Sequence, residues 1–506
     1  MKKYNVDTPD EMVVSKVFTT FMNNQIIEAK KKELDSWKEK NVYKECANEG
    51  QELVSLKWVL KPKIIDGLSG MKARLVAKGF QEIDDFRRDS PMVSKSTLRI
   101  VLVLITTMRK RLYSLDIKTA FLNNDTLDRD IYVKPPKEAE TKCIWKLCKT
   151  IYGLKDASRA WYLKLKGELL ALGCISTPDP SVVMWRENNI LCGLIALYVD
   201  DLLYSGSKLF FTNVVDKIQQ LFTVGSYNKQ AFTYIGIDLV QNEDMSITIN
   251  QKSYIQGLEA INVDSTVKKD TPLPEPLITP LRSLIGKLNW AISVSRPDLA
   301  YEVCRVSTKM GNPTMNEIHS LNKVVNWAKA NDVSIKFPNF SSFEDLYLIV
   351  FADSAFGNLG NGASQGGYII FVSDGSNSAP ICWSSHRIKR VARSTLTAET
   401  LIMVDAIDQA IYLSNIISAL IYGRQQNIPI KCYTDSNSLF VASKTDNVVE
   451  EKRLLIELAS IRESVEEGLI ELNWVDTKRQ LADCLTKSGA SPYNLIKVIQ
   501  NGSLSY

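Results

Sequence analysis

Two adjacent carboxylates, Asp200 and Asp201, follow Tyr198 and Val199 and separate the apolar run Ile190–Val199 from Leu202–Tyr204. Apolar runs of this length with a polar break predict two buried strands joined by a tight turn, with both acids at the hairpin tip. Carboxylates held on rigid strands suit a pair of Mg²⁺ ions, which demand oxygen ligands in octahedral geometry and act on phosphoryl groups. An ordinary surface turn is the other reading, because Asp is frequent in turns.

The rest of the composition narrows the chemistry. The chain has only two histidines, His319 and His386, so a His-cluster mechanism is nearly excluded and carboxylates must do the work. Nine cysteines are scattered without a Cys-x-x-Cys pair, which argues for a reducing compartment and against a disulfide framework or a zinc site. The net charge of +5 is small for 506 residues, so a nucleic-acid surface must be local. That length allows about three or four domains. The start, Met1-Lys2-Lys3-Tyr4, opens no apolar h-region, so no signal peptide is expected, and the apolar run near Ile100–Ile105 is too short to span a bilayer.

These acids need elements to carry them. Residues 1–45 read as mostly helical, with Trp37 as an anchor, and Leu53–Leu60 alternates as a strand. Lys57, Lys61, Lys63, Lys72, Arg74 and Lys78 meet a single acid, Asp66, and the turn Asp66–Gly70 splits this stretch into a phosphate-facing hairpin or a merely solvated one. Thr97–Arg111 predicts a buried helix capped by Ser94 or Ser96, followed by a strand Leu112–Ile117 that contains Asp116. Ser158–Leu172 predicts another helix. Four prolines between Thr271 and Pro280 predict a stiff extended connector and the clearest internal boundary. A softer break falls at Phe337–Asp345. Beyond it the pattern reads β-β-β-α-β-α-β-α: strands Leu346–Ala352, Tyr368–Val372 and Ile381–Trp383, a helix Thr395–Leu413, a strand Ile430–Thr434 with a helix after it, a strand Glu471–Val475, and a final helix from near Asp483.

Several of these stretches resemble, in order, the reverse transcriptase–ribonuclease H part of a copia-type retrotransposon Pol polyprotein. The matching residues are Leu56–Val59, Ala73–Phe80, Asp116–Leu122, Ile151–Lys155, Arg159–Tyr162, the Tyr198–Asp201 turn, Arg282–Leu288, Ser295–Asp298, Ser394–Glu399, Tyr433–Ser436 and Leu481–Lys487. The resemblance covers roughly 35–490 and implies an α/β (α+β) chain, a right-hand polymerase of palm, fingers and thumb followed by a ribonuclease H-like domain. The implied layout is an N-terminal helical lead-in (1–45), fingers and palm (46–225), thumb (226–270), connection (271–345), ribonuclease H-like domain (346–490) and tail (491–506). It implies RNA-directed DNA polymerase and hybrid-specific ribonuclease activity, two Mg²⁺ per site with Mn²⁺ as a substitute, and an RNA template, a DNA primer, an RNA–DNA hybrid and deoxynucleoside triphosphates as partners, with no membrane. The implied location is the cytoplasm, within virus-like particles, with access to the nucleus.

Carried over residue by residue, Asp116 and Asp200 become metal ligands of the polymerase and Asp201 a supporting carboxylate. Lys72, Arg74 and Lys78 become phosphate contacts. Phe121 becomes the ring that excludes a ribose 2′-hydroxyl, with a core Phe as the bland alternative. Tyr152 and Gly153 flank the incoming base, Gly allowing close backbone approach. Asp353, Glu399, Asp435 and Asp483 become the metal-binding acids of the nuclease, two at strand ends, one on a helix facing the sheet and one near a helix start.

The chain also departs from its relatives. Asp156 and Ser158 stand where Gln and Pro are common, and Asp156 calls for a partner such as Lys155 or Arg159. Asn124 replaces a common Gly. Residues 448–457 lack the histidines of many relatives, which turns attention for product release to Lys478 or Arg479; His386 reads as structural or phosphate-facing. No protease, zinc-knuckle or integrase motif appears, so the expectation is a processed product, a truncated copy or a fragment of a longer reading frame, with upstream polyprotein domains elsewhere. A truncated remnant that only binds nucleic acid is the competing function.

Overall fold

The computed structural model describes residues 11–504 apart from 66–67, 83–86, 125–126, 265, 425 and 446–450. The tip of the basic hairpin and part of the histidine-free stretch therefore lie outside the described residues. The chain divides into two compact units that do not follow chain order. One comprises Met1–Pro91, Ile117–Leu172 and Ile218–Gly225, the other Met92–Asp116, Gly173–Lys217 and Ser226–Tyr506.

In the first unit the helix Glu11–Glu39 carries Trp37 in its last turn, where it is fully buried and donates its indole N–H to Glu33 at 3.3 Å. Strands Leu56–Ile65 and Leu68–Ala77 pair antiparallel. The two-residue period of the second strand buries Ala73, Leu75 and Ala77 and turns Lys72 and Arg74 to its other face. A four-stranded sheet and the helix Ala157–Ala171 complete the unit. Its core gathers Trp37, Leu75, Val133, Trp145 and Ile151.

In the second unit Ser94 caps the helix Lys95–Thr107, its Oγ accepting the Thr97 N–H at 3.0 Å. Every residue from Thr97 to Thr106 is buried, as a helix apolar on all sides requires. It stops short of Arg111 because Arg109 takes a left-handed φ of 53°. The strand Tyr113–Ile117 pairs with Asp201–Gly206, and that strand with Ile190–Tyr198. A second sheet of four strands and the helices Glu275–Val294, Ala300–Ser307 and Met315–Ala330 follow.

The proline-rich stretch is not wholly an extended connector. The helix Glu275–Val294 takes in Pro276 near its start and Pro280 inside it. Leu281, Leu284, Ile285 and Leu288 recur at helical spacing and are buried, and this apolar stripe outweighs the proline penalty.

The last sheet has the order Ser378–Arg387, Gln365–Ser373, Tyr347–Ala355, Ile430–Thr434, Glu471–Trp474, the first three strands antiparallel and the last two joined parallel. The helix Thr395–Tyr422 packs on this sheet, an order of elements that fits the expected ribonuclease H-like domain. On length and composition that helix could cross a membrane, but it is largely buried in this core. A helix absent from the sequence reading, Lys452–Glu466, buries Leu454, Leu458 and Ile461 from within a charged run. Asp483 lies on a single 3₁₀ turn, Asp483–Leu485, and the final helix starts only at Tyr493. Asp353 lies within its strand, two residues before the end at Ala355.

Candidate active sites

The Tyr198–Asp201 hairpin closes through a two-residue turn. Tyr198 pairs with Asp201, and Asp201 pairs on its other edge with Asp116. Directly opposed residues of antiparallel strands share a face, so Asp116 and Asp201 stand side by side. Asp200 lies in the turn itself, next to Val199, whose φ of 57° is left-handed. That conformation costs a β-branched residue about 1–3 kcal/mol. Behind the turn, Gly193 and Gly206 are register partners, and a Cβ on either would meet the Phe210 ring at 2.2 or 2.3 Å. Burial, then the charges of Asp200 and Asp116, push Asp201 up to about 6. Acids that repel one another in this way favour a bound divalent cation.

In the first unit three of the expected substrate residues meet. The Phe121 and Tyr152 rings pack edge to face with centroids 5.0 Å apart, and the Arg74 guanidinium lies 4.8 Å from the Tyr152 centroid. Gly153, with φ of 93°, permits a close backbone approach, and the neighbour it admits is the Ala77 carbonyl, 2.2 Å from where a Cβ would sit. The Ala77 N–H donates to the Tyr152 carbonyl at 2.7 Å, which fixes this loop to the basic strand. Lys72 is exposed on that strand and Lys78 lies just beyond its end.

The four acids expected of a nuclease lie in the second unit. Asp353, Glu399 and Asp435 each bring a carboxylate oxygen within 4.8 Å of the others. Glu399 is held by the Ser354 N–H at 3.3 Å through Oε1, while its Oε2 is buried without a hydrogen-bond partner. Burial, then Asp353, raises Glu399 well above the carboxylate range, and burial raises Asp353 against the opposing pull of Lys487 and Thr486. An all-oxygen donor set with an orphaned buried oxygen fits a divalent cation. Asp483 does not join this trio; it is ion-paired with Lys487. The loop carrying it comes close because Gly367, the register partner of Asp353, would otherwise set a Cβ 2.7 Å from that of Leu485.

Other expectations change. Asp156 pairs with neither Lys155 nor Arg159 but with Arg129, two-pronged at 2.6 and 2.8 Å, and Arg129 also reaches Glu82 at 3.0 Å. His386 is anchored between Ser384 Oγ at 2.9 Å and Asp405 at 3.4 Å. Lys478 and Arg479 are exposed on a short turn. Asn124 is buried and donates to the Phe121 carbonyl at 3.1 Å. Sequence reasoning also missed Lys95, whose ammonium lies 4.3 Å from the Trp290 centroid and 5.6 Å from that of Tyr198, and which burial and Arg99 lower to about 8. It missed Lys487 as well, although its place four residues after Asp483 is a pairing distance on a turn.

Residues 41–275 match the family described as reverse transcriptase (RNA-dependent DNA polymerase). The chain is 29% identical over 466 residues to the retrovirus-related Pol polyprotein from transposon RE1 of Arabidopsis thaliana, covering 86% of this chain and 31% of that protein. It is 28% identical over 505 residues to the corresponding protein from transposon TNT 1-94 of Nicotiana tabacum, covering 92% and 37%. The chain thus spans about a third of the length of these relatives. Among solved structures it shares the fold of a foamy viral protease-reverse transcriptase in complex with double-stranded DNA, at TM-score 0.53 and 15% identity, over 94% of this chain and 71% of that one. Residues 41–275 are therefore similar to reverse transcriptases, and most of the chain is similar to part of the Pol polyproteins of copia-type retrotransposons.

Proposed function

We propose that the chain is an RNA-directed DNA polymerase that also degrades the RNA strand of the hybrid it makes. The observation that carries this reading is the presence of two separate carboxylate groups, Asp116–Asp200–Asp201 at a hairpin and Asp353–Glu399–Asp435 on a sheet and helix. Mg²⁺ bound at each would polarise a phosphoryl oxygen and lower the pKa of the attacking hydroxyl or water.

The protein's own groups do the rest. Asp116 and Asp200 would hold a divalent cation, and Asp201 supports them. Lys72, Arg74 and Lys78 bind triphosphate or template phosphates, where a point charge or a planar fork fits an anion. The Phe121 ring, braced by Tyr152, closes the space a ribose 2′-hydroxyl needs. In the nuclease Asp353, Glu399 and Asp435 would hold a divalent cation, and the ribose 2′-hydroxyl marks the strand to be cut.

The test is primer extension on an end-labelled RNA template with a DNA primer, deoxynucleotides and Mg²⁺ or Mn²⁺, so that synthesis and cleavage are read in one tube. Losing several kcal/mol of charge stabilisation corresponds to about 10²–10³-fold in rate. Asp200→Asn should lose extension on that scale and keep cleavage, and Asp435→Asn the reverse. A folded, hybrid-binding protein with neither activity would favour the nucleic-acid-binding remnant.

A further inference from the structure

Lys487 stands where the fourth nuclease acid would meet the other three. Its ammonium is 3.3 Å from Asp353 Oδ1 and in an ion pair with Asp483 Oδ1. The other oxygen of Asp353 accepts from the Thr486 hydroxyl. Both Asp353 oxygens and one of Asp483 are therefore engaged by the loop 483–487, while the buried Glu399 Oε2 has no hydrogen-bond partner.

A divalent cation placed between Asp353 and Asp483 would lie against this ammonium, and like charges at contact distance repel strongly where water is scarce. Asp353, Glu399 and Asp435 already converge within 4.8 Å of one another, and no cation of the loop is hydrogen-bonded to Glu399 Oε2. The Lys487 side chain is 39% exposed, and a four-carbon stem can swing away without moving the backbone.

We propose that Lys487 is a positioning residue whose ammonium fills the second cation position of the nuclease site, between Asp353 and Asp483. The metal-free site then offers one ready position, and the second opens only when Lys487 withdraws. The proposal rests on reading this site as a metal-dependent nuclease.

The experiment counts bound Mn²⁺ by electron paramagnetic resonance titration of the full chain, with Asp116→Asn and Asp200→Asn introduced to silence the polymerase acids. This parent should bind one Mn²⁺ and take a second at least about tenfold more weakly, a 1.4 kcal/mol difference. Lys487→Met should bring the second affinity to within that factor of the first and show a spin-coupled pair. Lys487→Arg keeps a cation and should behave as the parent. If Lys487→Met does not fold, the smaller, neutral Lys487→Gln carries the same expectation. Two equal ions in the parent, or an unchanged second affinity in the neutral variants, would overturn the proposal. Asp435→Asn separates the two layers: if it leaves Mn²⁺ binding untouched, the nuclease reading itself fails.

Discussion

The Arg99 guanidinium lies 3.7 Å from the centroid of the Trp383 ring, deep inside the second unit. Arg99 comes from the capped helix Lys95–Thr107, and Trp383 from the strand Ser378–Arg387 at the edge of the five-stranded sheet. The guanidinium also donates to the carbonyls of Ile381 and Val294 at 3.1 Å each, and to that of Ser293. The Trp383 indole N–H donates to the Ile292 carbonyl at 2.8 Å. One buried cation thus joins three segments that are distant in the chain.

Arg99→Met is expected to destabilise the protein by about 2–4 kcal/mol, because it strands buried carbonyls and removes a desolvated cation–π contact. Arg99→Lys should recover little, since a single ammonium cannot reach the carbonyls that the fork reaches. Urea unfolding reads both; an unchanged midpoint for Arg99→Met would show that the tie contributes nothing.

The Arg129 clamp makes a second stability prediction. Arg129→Ala leaves Asp156 and Glu82 partly buried and unpaired, which should cost on the order of 2–3 kcal/mol. Adding Asp156→Asn removes one of those charges and should restore part of the loss. A thermal-melt double-mutant cycle measures the coupling, and strict additivity would count against a direct interaction.

Phe121→Ala should relax sugar selection. Discrimination by steric closure around one hydroxyl amounts to roughly 10–100-fold. The ratio of kcat/KM for a deoxynucleotide over its ribonucleotide should fall by about that factor, while hybrid cleavage is unaffected. A retained ratio would assign Phe121 to core packing against Tyr152.

Acid–base linkage gives a test that needs no substrate. Asp353 and Glu399 titrate higher in the folded chain than their ordinary values of about 4. The native state then holds protons that the unfolded chain has already released, so stability is fullest below about pH 4 and falls as pH rises through the raised values. Asp201, pushed up to about 6, acts in the same direction. In EDTA the melting temperature should drop between pH 5.5 and 8, and Mg²⁺ should restore more of it at pH 8 than at pH 5.5. A rise over that window in EDTA, with no Mg²⁺ response, would remove the electrostatic argument for both sites.

How much of this was legible in the sequence depended on range. The hairpin was legible because its acids interrupt apolar runs, a signal contained in fifteen residues. The basic hairpin and the buried helix beginning at Lys95 were legible for the same reason. The helix Glu275–Val294 was misread because proline is a strong local sign, whereas its buried leucine stripe has meaning only once a partner surface exists. The Arg129–Asp156 pair spans 27 residues and the Lys487–Asp353 pair 134, and no local pattern announces either. Near neighbours were proposed for Asp156 because proximity in sequence was the only guide available.

The apolar core of the second unit runs without a break from the helix Lys95–Thr107 to the sheet and helix that hold Asp353 and Glu399. Segments that would be cut apart on a linear map are thus folded into one body. A fragment begun at residue 346 would leave Ile381 and Trp383 facing water where Arg99 had lain, and a fragment ending before it would expose the other half of the same seam. Dissection of this protein should follow its interior rather than the order of its motifs, and a folded C-terminal piece is expected to need the segment 92–116 supplied alongside it.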